Sequence, residues 1–105
     1  MIIVTSDLIP GETIESTLGL VRGTTVRSRH LGLDIRATLR NLVGGEVMEY
    51  TKLVAEAREQ ALDRMMDEAR SKGGNAIVGF RFATMEVARG AAEVVAYGTA
   101  VILSR

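Results

Sequence analysis

The feature that most constrains the fold is an uninterrupted stretch without glycine or proline, residues 47–72, between two glycine pairs. Acidic residues near its start and basic residues near its end suit the two ends of a helix dipole. The pair Gly73–Gly74 supplies the left-handed residue that commonly ends a helix, and Gly44–Gly45 separates the stretch from what precedes it. The pattern predicts one helix of about 39 Å, so the domain needs a second layer of similar length.

The apolar side chains of this predicted helix are spread more widely than one core requires. At 100° per residue they cover an arc of roughly 200°, whereas a helix on one core needs little more than 100°. We therefore expect the helix to be buried on two sides, as at an interface between subunits. The apolar positions are Val47, Tyr50, Leu53, Val54, Ala57, Ala61, Leu62, Met65, Met66 and Ala69, and the acidic face holds Glu49, Glu56, Glu59, Asp63 and Asp67.

Arg58 falls inside the apolar arc, not on the acidic face. A guanidinium in an apolar environment is unfavourable unless a carboxylate or carbonyl oxygens meet it. We therefore predict a buried or interfacial ion pair, with recognition of a ligand as the alternative. The expected partners are Asp34, Glu86, Glu93 or an acid of a neighbouring subunit.

The rest of the chain favours β-strands and one short helix. Glycines interrupt a β-rich stretch, residues 12–27, which predicts a single strand that is bent or bulged at a glycine. Asp34 can cap a short helix, which Gly44–Gly45 ends. The order is β-β-α-α-β-β, an α+β fold in which one short and one long helix cover an antiparallel-rich sheet. The other elements are a strand at 2–5, the short helix at 35–43 and strands at 75–87 and 93–103.

Alternation assigns faces to the last two strands. In residues 75–87 it places Val78, Phe80 and Phe82 on one face. In the final strand it places small residues on one side, where a helix can approach closely. That side holds Val94, Ala96, Gly98, Ala100 and Ile102.

Composition excludes several classes of protein. A length of 105 residues predicts a single domain, residues 1–105. The thirteen Lys and Arg residues balance the thirteen Asp and Glu residues, so the chain has no net charge. This balance argues against nucleic-acid binding, which needs a basic surface. There is no cysteine, no basic signal-peptide start and no apolar run of membrane length. We expect a cytoplasmic protein without a disulfide or a membrane partner.

His30 in "RSRH" is the only histidine. A metal site needs several ligands, and only Asp34 lies nearby in sequence. Copies of His30 from several subunits would have to meet for metal binding, so we interpret "RSRH" mainly as a polar turn. The adjacent Met65 and Met66 point about 100° apart on a helix and cannot chelate one ion together. We predict no cofactor.

Two arginines one turn apart, Arg36 and Arg40, form a second candidate site. With Tyr50 they could bind an anionic metabolite at a subunit boundary, although a solvated or salt-bridged face is commoner. Few side chains are suited to catalysis, since cysteine is absent and the carboxylates lie mostly on one helix face. We do not expect an enzyme.

Several motifs together resemble one family over nearly the whole chain. The stretches are "MIIVTSDLIPG", "LGLVRG", "LRNLVGGEVMEY", "NAIVG" and "YGTAV", and the specific parts include Arg40, Tyr50 and the triplet 57–59. The chain resembles the YbjQ-like family of small proteins, labelled as heavy-metal-binding. This resemblance implies an α+β subunit that assembles as a ring, typically a pentamer, with short strands that help to join subunits. We interpret the motif residues Arg40, Gly44, Gly45, Tyr50 and Arg58, with Gly73, Gly74 and Gly98, as determinants of fold and assembly.

Overall fold

The computed structural model describes residues 1–28 and 45–104, and of residues 45–50 the backbone alone. The short helix predicted at 35–43 lies outside the described residues. The described elements are strand β1 (Ile2–Ile3), strand β2 (Ile14–Ser28), helix α1 (Gly45–Ser71), strand β3 (Ala76–Ala88) and strand β4 (Ala91–Leu103).

The four strands form one mixed sheet in the order β1-β3-β4-β2. Strand β4 is antiparallel to both of its neighbours, whereas the two-residue β1 runs parallel to the start of β3. The α+β class and the antiparallel-rich sheet are confirmed, and among the described residues one helix covers this sheet. Strand β4 lies inside the sheet, and β2 forms one edge. The part of β3 that does not pair with β1 forms the other edge.

Helix α1 ends as the glycine pair predicts. The Gly73 N–H donates to Arg70 O at 2.9 Å, and the Gly74 N–H donates to Ala69 O at 2.9 Å. Gly73 has φ +87°, a conformation that side-chain-bearing residues rarely adopt. This is the paired hydrogen-bond pattern that satisfies the last carbonyls of a helix before the chain turns back. At the other end Gly45 is the first helical residue, two positions earlier than predicted.

Strand β2 is bulged at a glycine, as its sequence predicts. The register with β4 shifts between Thr17 and Gly19, where Gly19 has φ +102°. Beyond the shift, β2 pairs regularly with β4 as far as Ser28. The bulge turns the side chain of Leu18 toward the helix side, where it packs against the core.

The main core lies between α1 and the sheet and is built from small residues. One stripe of the helix, Ala57, Ala61, Met65 and Ala69, is fully buried. The expectation that small β4 residues allow a close helix is confirmed, because Ala96 and Ala100 are buried under this stripe. The other buried members of the cluster are Val21, Ile77 and Val94.

The face assignment predicted for β3 is wrong beyond Gly79. The register with β4 slips by one residue between Val78 and Arg81, and Gly79 has φ +63°. Because of this bulge, Phe80 packs on the helix-side core, whereas Val78 belongs to a cluster on the opposite face. Strict alternation fails here because one inserted residue inverts every later side chain. Gly98 lies opposite, and Ile77 Cγ2 occupies the space that a Gly98 side chain would need.

A second, smaller cluster lies on the opposite face of the sheet, near the end of β4. Its buried residues are Ala76, Val78, Val101 and Leu103, against which Ile2, Val4, Ile9 and Ile14 pack. The N-terminal segment therefore covers this end of the face. The rest of the face has no such cover among the described residues.

Asn75 joins the start of β3 to the end of β4. Its backbone N–H donates to Val101 O, its Nδ2 donates to Leu103 O at 3.2 Å, and its Oδ1 accepts from the Leu103 N–H at 2.7 Å. The side chain thus extends the pairing with β4 to the residue just before β3 begins. Together with the bulge at Gly79, this gives a structural reason for both ends of the "NAIVG" motif.

Candidate functional site

Most of the sequence-predicted site residues lie where the structure gives no description. His30, Asp34, Arg36, Arg40 and Gly44 fall in 29–44, outside the described residues. Tyr50 lies in α1, but its side chain also lies outside the description. The metal and anion sites predicted from these residues therefore stay predictions.

Arg58 differs from its expected environment. Its side chain is exposed and makes no hydrogen bond or ion pair with the described residues, so Glu86 and Glu93 are not its partners within this chain. The reason is the position of the helix. Helix α1 packs over β2 and β4 and hardly touches β3, so the flank that carries Arg58 extends past the covered part of the sheet. The remaining predicted partners are Asp34, which lies outside the described residues, and an acid of a neighbouring subunit.

Polar contacts hold α1 over the β2 edge. Arg27 of β2 contacts Glu56 Oε2 and Gln60 Oε1 at 3.3 Å each. From the helix, Arg64 donates to Thr24 O at 2.6 Å and Lys72 donates to Leu20 O at 3.0 Å. Two carbonyls of an edge strand are thereby occupied, which reduces the exposure of backbone groups to another strand.

The described residues leave the sheet surface that faces away from α1 largely uncovered, and we call this surface the open face. Register places on it alternate residues of β2, β4 and β3, and four of its large apolar side chains are exposed. The exposed fractions are 56% for Leu20, 59% for Val26, 62% for Met85 and 38% for Tyr97. Several large apolar side chains exposed on one sheet face are typical of an interaction site. The other members are Arg22, Thr24, Arg81, Ala83, Glu93, Val95 and Thr99.

One row of the open face carries two positive charges around a tyrosine. Tyr97 of β4 pairs with Arg22 on one side and with Arg81 on the other. Arg81 Nη1 donates to Thr5 O at 2.9 Å and to Phe80 O at 2.7 Å, whereas Arg22 has no polar partner among the described residues. The row can donate several hydrogen bonds to an anion. Sequence reasoning missed it, because these residues lie 16 or more positions apart and only strand register brings them together.

No group of three or more His, Asp or Glu that could hold a metal ion occurs within 1–28 and 45–104. A shallow cleft of about 400 Å³ lies at the end of α1, lined by Met1, Ile2, Arg70, Gly74 and Asn75. The Asn75 side chain in this cleft already makes two hydrogen bonds to the Leu103 backbone. No helix in the described ranges is long and apolar enough to cross a membrane.

The described fold is that of a small two-layer α+β protein, with one helix packed on one face of a four-stranded sheet. A profile of the YbjQ family, described as "Putative heavy-metal-binding", matches residues 1–104. A UPF0145 protein of Clostridioides difficile is 50% identical over 103 residues, which are 98% of this chain and 92% of that one. Another, of Pyrococcus furiosus, is 55% identical over 105 residues, which cover 100% and 92% of the two chains. The chain belongs to this family, and the resemblance predicted from its motifs is confirmed.

A solved structure shares the fold. A DUF74-family protein of Pediococcus pentosaceus superposes with a TM-score of 0.58 at 21% identity, covering 99% of this chain and 98% of the other. At this identity the likeness concerns the fold alone. It supports the arrangement of α1 on the four-stranded sheet.

Proposed function

We propose that the protein is a cytoplasmic, non-enzymatic homo-oligomeric ring that serves as a scaffold or as a small-ligand binding protein. Five copies are expected from the family resemblance. The observation that carries the proposal is the open face, where Leu20, Val26, Met85 and Tyr97 are exposed on the sheet of a single chain. Their burial against another copy would remove apolar surface from water.

The dimensions of the chain support the same proposal. Its extents are 55 × 23 × 17 Å and its radius of gyration is 17.3 Å. A compact domain of about 100 residues has a radius of gyration of about 13 Å. An elongated, thin subunit buries a smaller share of its own apolar surface than a compact one. Contact between copies would therefore bury additional apolar surface.

A contact between two different surfaces of the subunit accounts for a ring. Suppose that the open face of one copy contacts a different surface of the next copy. Every copy then has both surfaces, and repeated contacts form a closed ring when the rotation between neighbouring copies divides a full turn. A contact between two open faces would stop at a dimer. The predicted second buried side of α1 fits the first arrangement.

The test is native mass spectrometry of protein purified without added metal or chelator. A five-fold mass supports the ring, and additional mass would identify a bound metal or metabolite. A monomer at micromolar concentration would contradict the proposal. Leu20→Asp is expected to shift the protein to smaller species, since Leu20 lies on the open face. Leu8→Asp is the matched control, because Leu8 is 70% exposed and lies outside the open face.

Metal or metalloid binding is the second candidate, favoured by the description of the family. The ligands would be shared between subunits, with His30 and Asp34 as the candidates. Calorimetric titration with zinc, copper and nickel tests this function. His30→Ala should abolish a genuine response, and an unchanged affinity would exclude His30 as a ligand.

A further inference from the structure

The open face and helix α1 carry charges of opposite sign that are not neutralised within the described part of the chain. On the open face, Arg22 has no polar partner there. On the outer side of α1, Glu59 and Asp63 are exposed and likewise have none. These two acids are one turn apart, a spacing at which like charges repel and weaken the helix slightly.

The outer side of the helix is defined by its other contacts. Ala57, Ala61 and Met65 face the sheet, and Arg64 reaches over the β2 edge. At 100° per residue, Glu59 and Asp63 therefore point away from the sheet of their own chain. Asp67 continues this acidic stripe but is paired with Arg70 at 3.3 Å.

The spacings of the charges on the two surfaces differ by an amount that long side chains can bridge. The row of Arg22, Tyr97 and Arg81 crosses three strands, so its ends are about 10 Å apart. Carboxylates four residues apart on a helix are separated by about 6 Å along the axis, within reach of long arginine side chains. Helix and row can therefore meet over more than one charged contact.

We propose that the Arg22–Tyr97–Arg81 row of one copy binds the Glu59 and Asp63 carboxylates on α1 of the next copy. This inference rests on the proposed ring and specifies the polar part of its interface. The exposed apolar side chains of the open face supply the surrounding contact area, and the charge pairs set the register. Such pairs respond to salt and to charge reversal.

The experiment is a charge swap within one chain, with subunit stoichiometry measured by native mass spectrometry and by light scattering over a dilution series. Because every interface in the ring is the same, Arg22→Glu affects all of them, and so does Asp63→Arg. Each is expected to raise the concentration of half-assembly about 10-fold or more, since juxtaposed like charges are strongly unfavourable. The double variant Arg22→Glu with Asp63→Arg should restore assembly.

Controls keep the result specific. Arg89→Glu makes the same charge change at an exposed arginine of the β3–β4 turn and should leave assembly unchanged. Circular dichroism of each variant checks that the fold is intact, and Arg22→Gln gives a milder change at the same position.

Three outcomes would overturn the inference. If Glu93→Arg, and not Asp63→Arg, rescues Arg22→Glu, the contact joins two open faces. If Arg22→Glu leaves the wild-type stoichiometry unchanged, the ring uses another surface and the proposed function survives. If Arg22→Glu affects only stabilisation by inorganic phosphate, the row binds a free anion. A monomeric wild-type protein, in contrast, would contradict the proposed function itself.

Discussion

Gly23 of β2 lies directly beneath Ala61 of α1, so close that a Cβ at position 23 would overlap the Ala61 carbonyl oxygen. The same Cβ would also meet the backbone nitrogen of Met65. Neither of these helix atoms can move aside by a change of rotamer. The helix approaches the sheet closely because one side of the contact has no side chain at all.

Gly23→Ala is therefore expected to destabilise the protein by about 3 kcal/mol, the upper range for overpacking a core. The measurement is urea unfolding at a fixed subunit concentration, because the stability of an oligomer depends on concentration. Gly74→Ala is the control. Its added Cβ would lie 3.2 Å from Ala69 O, which is a tight contact but not an overlap. Equal losses in both variants would show that the close approach at Gly23 is not needed.

Gly73 tests backbone conformation without crowding. It has φ +87° and an added Cβ would meet no atom within 4 Å. Gly73→Ala is expected to lower the free energy of unfolding by about 1 kcal/mol, the usual difference for a left-handed residue. Gly73→Asn should lose less, because asparagine tolerates this conformation. Thermal unfolding of the three proteins at one concentration gives the order, and an asparagine variant weaker than alanine would contradict it.

The hydroxyl of Thr25 is buried without a hydrogen-bond partner among the described residues, and Thr25 is 2% exposed. Thr25→Val keeps the shape and removes the unsatisfied group, so the free energy of unfolding should rise by about 1 kcal/mol. Thr24→Val, on the open face, should change stability little by comparison. Chemical unfolding of both variants decides the matter. A loss of stability in Thr25→Val would mean that its hydroxyl has a partner in the assembled protein.

Asn75 should hold the end of β4 in place. Asn75→Ala removes both side-chain hydrogen bonds to Leu103 and leaves its backbone groups unpaired, with an expected loss of about 2 kcal/mol. The local readout is amide hydrogen exchange, which should become faster at Leu103 than at Thr99. Asn75→Asp keeps the acceptor for the Leu103 N–H and should protect that amide better than alanine does. Exchange at Leu103 that is unchanged in Asn75→Ala would refute the role.

Much of the fold follows from local rules. The helix between the glycine pairs, its end at Gly73 and a bulge of β2 at one of its glycines were predictable, because they depend on backbone freedom and short-range periodicity. The bulge at Gly79 was not predicted. A glycine within a strand permits a bulge but does not require one, and the partner strand decides. One missed bulge was enough to misplace Val78 relative to Phe80.

The candidate surface was less predictable than the fold. Arg58 was expected to be buried because it lies in the apolar arc of the helix. The width of this arc does not determine over which strands of the sheet the helix packs. The open-face row of Arg22, Tyr97 and Arg81 could not be found in sequence, since it depends on strand order and on two registers. Sites of this kind arise only when distant segments are paired.

The sequence by itself determined the elements of this protein: where α1 ends, which residues are small enough for close packing, and to which family the chain belongs. These properties are local, because they arise from glycine conformations, helical periodicity and motifs. Only the tertiary structure decided which face of the sheet stays uncovered and which charges lie on it. The physical reason is that α1 packs where Gly23 lets its backbone approach β2, and this position leaves Arg22, Tyr97 and Arg81 on the sheet face that residues 1–28 and 45–104 leave largely uncovered.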